Sequence, residues 1–183
     1  MSTKVEATIE DLYCVPENGK AEIVDGELVT FMPTGDLPNS AASEIFVSLR
    51  NYSRQHQRGR AYNDNVGFLV NLPRRKSFSP DAAFYLGPRA GGKFLTGAPV
   101  FAVEVRSEND YGAKAEKNMQ KKRADYFAAG TLVVWDVDVL LGELIRVYRF
   151  DAPDRPTIYG RGEVAEAEPA VPGWTMPVDD LFL

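Results

Sequence analysis

Polar and apolar positions alternate through KAEIVDGELVTFM on both sides of Asp25–Gly26, which predicts a β-hairpin turning at that dipeptide. Ahead of it, TIEDLY reads as a short helix, with Thr8 as N-cap and Asp11 three residues on in a capping-box arrangement. Pro33 to Pro38 reads as a loop. Ala42, Ile45, Phe46, Leu49 and Tyr52 then recur at helical spacing, predicting a helix capped by Asn39 or Ser40 with that face toward the core. Strand-like runs follow at Arg60 to Asn63, at Gly67 to Leu72, and in SPDAAFYL after the basic turn Pro73 to Lys76. The glycine-rich stretch from Gly87 to Gly97 reads as a surface loop.

PVFAVEV is an apolar run carrying one acid, the pattern of a central buried strand. Tyr111 to Ala129 is the longest predicted helix, closed by Gly130. LVVWDVDV reads as a second buried strand and ELIRVYRF as a half-exposed antiparallel neighbour. The tail from Asp151 predicts one more strand and an edge turn around Trp174. This order implies an α/β fold, a mixed β-sheet flanked by helices. It is expected as a single domain over 1–183, with a core of about 8–150 and a C-terminal strand and tail at 151–183.

Composition narrows the function classes. One cysteine and one histidine exclude an internal disulfide framework, a cysteine-built zinc site and a multi-histidine metal site. The longest apolar run, Gly97 to Val103, is too short to span a bilayer. The first ten residues carry acids and no apolar core, so no signal peptide is expected and the location reads as cytoplasmic. A net charge of −5, from 26 acids and 21 bases, argues against a protein that coats nucleic acid. It leaves room for a nuclease, which needs clustered carboxylates and only a local basic rim.

Two acids stand in apolar strands. Asp81 follows Pro80 at the start of one, and Glu104 interrupts FAVEV. A buried carboxylate needs a cation, donors or a metal, unless it simply ends its strand at solvent or in a salt bridge. On the following helix Ala115, Met119, Lys122 and Tyr126 share one face, so Lys122 points to the sheet unless it snorkels outward. Lys121 and Arg123 point toward the rim. Two carboxylates and a lysine suit a hard cation and phosphodiester hydrolysis. Cys14 reads as a small apolar residue and His56 as a surface residue near a helix end.

SPDAAFYL, FAVEVRSENDY and KKRADYFAAGTLVVWDVD together resemble the Uma-type restriction endonuclease family of the PD-(D/E)XK nuclease superfamily. AEIVDGELVTFMPTGD is similar to its N-terminal hairpin and VPGWTMPVDDLF to its closing segment, so the resemblance runs from about Thr8 to the C-terminus. It implies the restriction-endonuclease-like fold and an Mg²⁺ (or Mn²⁺) dependent endodeoxyribonuclease. Pro80–Asp81 matches the PD element and Glu104 the acid of (D/E)XK, so the resemblance makes Asp81 and Glu104 the metal ligands. Arg106 stands where the superfamily's lysine falls, and an arginine cannot act as a base. In the Uma-type pattern a lysine four residues before an aromatic takes that role, and Lys122 precedes Tyr126 by four. Glu22 matches an acid of the family's hairpin near the metal; from its own residues it is equally an exposed strand acid. Leu37–Pro38–Asn39 departs from the family where many members have a histidine. DNA is the implied substrate, with no membrane partner, and a homodimer would suit cutting both strands of a duplex. The alternative is a catalytically silent nuclease-fold binding or interaction module.

Overall fold

Both residues of the Asp25–Gly26 turn have positive φ, 51° and 74°, the twist a two-residue hairpin requires. The turn joins β1 (Ala21–Val24) to β2 (Glu27–Thr30) in antiparallel register. The computed structural model describes residues 6–15 and 19–183. The reading of a missing leader falls partly on residues 1–5, outside the described residues. Before the hairpin lies α1 (Ile9–Tyr13), where Thr8 and Asp11 close the expected capping box.

The next helix, α2 (Asp36–His56), starts earlier than its sequence pattern suggests, with Gly35 as N-cap instead of Asn39 or Ser40. Pro38 falls in the first turn, where its missing N–H removes no helical bond. With 21 residues it is also the longest helix among the described residues, ahead of α3 (Ala113–Ala128). Ala42, Ile45, Leu49 and Tyr52 are buried as their spacing predicts, and Phe46 packs at the margin.

Six strands form the main sheet, in the order β11 (Ala152–Gly160), β10 (Leu144–Arg149), β9 (Val133–Asp138), β8 (Phe101–Val105), β6 (Ala82–Tyr85), β3 (Arg60–Asn63). The β8–β9 pair is parallel, with α3 as its crossover, and the other pairs are antiparallel. Alternation along β8 then assigns the two faces. Phe101, Val103 and Val105 join α2 and the C-terminal tail in one core, while Ala102 faces a second core with Tyr126 of α3. Glu104, two residues on from Ala102, therefore opens on the α3 face.

That face also carries a small sheet of two-residue strands, β5 (Ser77–Phe78), β4 (Phe68–Leu69) and β7 (Leu95–Thr96). The last lies within the stretch read as a loop. The β1–β2 hairpin docks against it: Lys76 N–H donates to the Ile23 carbonyl at 2.9 Å, and Ile23 N–H to Ser77 Oγ at 2.9 Å. The tail holds more structure than expected. Besides β11 it forms β12 (Val164–Glu166), β13 (Thr175–Pro177) and a 3₁₀ turn at Val178–Phe182. Trp174 is buried rather than at an edge, 5.1 Å from the Trp135 ring and 5.6 Å from Phe101.

Candidate active site

Strand register builds a polar row across the α3 face. In the parallel pair Glu104 sits beside Asp136, and in the next pair Asp136 sits opposite Arg146. In the antiparallel β6–β8 pair Ala82 lies opposite Val103; one further step sets Asp81 opposite Glu104. Val105 N–H donates to Asp81 Oδ2 at 2.7 Å, which holds the two acids at one end of neighbouring strands. Both line a cavity of about 560 Å³.

Helix α3 delivers the lysine. Among its inward positions are Ala115, Met119, Lys122 and Tyr126, the face that the helical phase selects. Lys122 Nζ lies 2.8 Å from Glu104 Oε2 and 2.9 Å from Glu22 Oε1, so one ammonium bridges two carboxylates. Tyr126, fully buried and stacked on Phe78 at 3.9 Å, donates to Glu104 Oε1 at 2.6 Å. Lys121 stays exposed, as expected. Arg123 does not reach the rim: its guanidinium lies 3.9 Å over the Tyr148 ring and 3.6 Å from Asp136.

Glu22 is not an exposed strand acid. It is 1% exposed, accepts from Ser79 N–H at 2.9 Å, and pairs with Arg75. Arg75 also donates to Asp125 Oδ2 at 2.9 Å, so this member of the basic turn is a buried pairing residue. Alternation explains it: Arg75 and Ser77 face inward, while Arg74 and Lys76 are more open.

Lys20 escaped the sequence reading. Its Nζ lies 2.6 Å from Asp81 Oδ1 and 2.7 Å from Asp64 Oδ1. The signal was available, because Lys20 precedes Glu22 by two residues and shares its face of the hairpin. Phe31, just past β2, lies beside both ammonium groups, its ring centre 5.7 Å from Lys20 Nζ and 5.5 Å from Lys122 Nζ.

Charge within the cluster is uneven. Burial raises the pKa of Glu104; Lys122 opposes this, and Asp81 and Glu22 push it further up. Burial also works against ionising Glu22, but Lys122 and Arg75 outweigh it and its pKa falls below the ordinary value. Lys122 pays a burial cost that Glu104 and Glu22 more than offset, and its pKa rises. It is therefore an ammonium donor at neutral pH. The Tyr126 phenol, raised by burial and by Glu104, keeps its proton.

Arg106 takes no part in this cluster. Its Nε and Nη2 donate to the two oxygens of Asp136 at 2.7 and 2.8 Å, and Glu116 caps its outer edge. Arg106 therefore neutralises the next carboxylate of the row. Cys14 is exposed at the end of α1, and His56 Nδ1 lies 3.0 Å from the Tyr52 carbonyl, both away from the cavity.

A hard divalent ion suits the oxygens present. Each oxygen of Asp81 and Glu104 accepts one protein hydrogen bond, which leaves each a further lone pair. Among the described residues no three acidic, histidine or cysteine side chains gather as a ligand cluster. An ion held by two carboxylates would complete its shell with water, the habit of Mg²⁺.

The model of the Uma2 family, described as "Putative restriction endonuclease", matches residues 7–179. Among solved structures, one described as a "putative nuclease belonging to DUF820" from Anabaena variabilis ATCC 29413 superposes with a TM-score of 0.75 at 16% identity. The match covers 96% of this chain and 97% of that one, a likeness of fold. No curated protein matches the chain significantly. Among the described residues no helix is long and apolar enough to cross a membrane.

Proposed function

Because the chain belongs to the Uma2 family, we propose that it is a nuclease, a divalent-metal-dependent phosphodiester hydrolase acting on DNA. The observation that carries this reading is the single Lys122 ammonium bridging Glu22 and Glu104 in the cavity that Asp81 also lines. Asp81 and Glu104 are the residues that would hold Mg²⁺ or Mn²⁺. Such an ion, when bound, supplies Lewis acidity and a water of lowered pKa.

The chain's own residues supply the rest. Tyr126 fixes the Glu104 carboxylate through one oxygen, leaving the other toward Lys122. Glu22, held by Arg75 and Ser79, keeps the Lys122 ammonium at the cavity wall, where it can orient a water and offset charge on a phosphoryl group. Because Lys122 holds its proton in this arrangement, its part is electrostatic and orienting. Lys20 offers a second ammonium on the Asp81 side.

A second reading, a silent binding module, draws on one observation: every oxygen of Glu22, Asp81 and Glu104 already has a protein donor. Two experiments separate the readings. Calorimetric titration with Mn²⁺ should show binding to the wild type that Asp81→Asn and Glu104→Gln weaken. Mg²⁺ should support DNA cleavage that both variants lose. Equal metal affinity in all three proteins would sink the metal assignment, and metal binding without turnover would favour the silent module.

A further inference from the structure

An aromatic ring sits where the cavity opens. Phe31 is 39% exposed, and Met32 beside it is 83% exposed. Both line the cavity that holds the carboxylates. Phe31 is fixed in place rather than dangling, since its N–H donates to the Lys20 carbonyl at 3.0 Å and extends the hairpin ladder by one step. Its ring centre lies less than 6 Å from two ammonium groups, those of Lys20 and Lys122.

A partly exposed apolar ring beside paired ammonium groups describes its ligand chemically: a flat π-face joined to an anion. A nucleotide has both. Local charge agrees, because seven basic and six acidic side chains line this cavity in a chain whose net charge is −5. Inside a duplex both faces of each base are covered by neighbouring bases. A protein ring can stack only on a base that is unpaired, terminal or turned out of the helix.

We infer that Phe31 is a base-stacking residue and that the site takes single-stranded or locally unpaired DNA, with the base next to the reacting phosphate resting on Phe31. The inference rests on the nuclease reading and narrows its substrate. Met32 extends the apolar surface beside the ring, and Lys20 and Lys122 lie within reach of the attached phosphate.

The test uses the full chain with Ca²⁺ in place of Mg²⁺, and fluorescence anisotropy on three labelled probes. These are a single-stranded oligodeoxynucleotide, its duplex, and an abasic chain of the same length. The wild type should bind the single strand more tightly than the duplex or the abasic chain. Phe31→Ala should weaken single-strand binding by about tenfold or more, the scale of one lost stacking contact, and leave abasic binding unchanged. Phe31→Trp should retain single-strand affinity, while Phe31→Leu, apolar without a π-face, should not. Because the ring is partly exposed, melting temperatures of all variants should stay near that of the wild type and exclude unfolding as the cause. Duplex preference, equal single-strand affinity in wild type and Phe31→Ala, or an equal loss on the abasic chain would each overturn the inference and leave the nuclease reading standing. Failure of the wild type to bind any of the three probes would defeat both.

Discussion

Lys122 is the residue on which the site's electrostatics turn, because Glu22 and Glu104 share its ammonium. Lys122→Met keeps the stem's packing and removes the charge, leaving the buried Glu22 and the partly buried Glu104 short of a cation. Breaking a buried pair in this way costs about 3–5 kcal/mol, and we expect a loss on that scale in urea denaturation. Glu104→Gln removes one of the charges that Lys122 neutralises. The double variant should therefore lose less than the two single losses added together, by about 1 kcal/mol or more. Strict additivity would show that the bridge carries no coupling. Helical phase alone was enough to turn Lys122 toward the sheet. It was not enough to find its second partner, because the burial of Glu22 depends on a hairpin docking against residues more than fifty positions away. Arg106 was legible as a departure from the lysine pattern, but its actual task, a two-pronged bond to Asp136, follows only from the β8–β9 register.

The elements were legible in proportion to their length. The hairpin, α3 and β10 show several periods of alternation or helical spacing, β8 and β9 show apolar runs broken only by acids, and each lies where its pattern put it. β4, β5 and β7 have two residues apiece, too few for any alternation to register. The start of α2 was misplaced because a proline signals a break in a helix interior and is acceptable in a first turn. The hairpin matters most to the site, since it carries Lys20, Glu22 and, one step past its end, Phe31. Its turn is demanding. Gly26 has φ 74°, and a Cβ there would meet Glu6 Cγ at 3.2 Å. Gly26→Ala should cost about 1 kcal/mol, which for a chain of this size lowers the melting temperature by about 2–4 °C. Hydrogen exchange should locate the loosening in the hairpin amides and leave β8 and β9 protected. An unchanged hairpin with a weakened central sheet would contradict the placement.

At the scale of the whole molecule, the acidic net charge hides a cavity with a slight basic excess, which is why composition alone argued against nucleic acid. The same cavity balances its own acids: Lys20 sits on Asp81, Lys122 on Glu104 and Glu22, and Arg75 on Glu22 again. A carboxylate cluster without such cations would depend on a bound ion to relieve its repulsion, and the fold would fail when the ion left. Here the expectation is the reverse. Protein stripped with EDTA should keep its far-UV circular dichroism and a single cooperative melt, and added Mg²⁺ should raise that melt only by mass action. Loss of the cooperative transition on stripping would count against the balance. On the nuclease reading proposed above, folding and loading would then be separate events: the chain would mature empty, and the fraction armed at any moment would follow the free ion concentration around it.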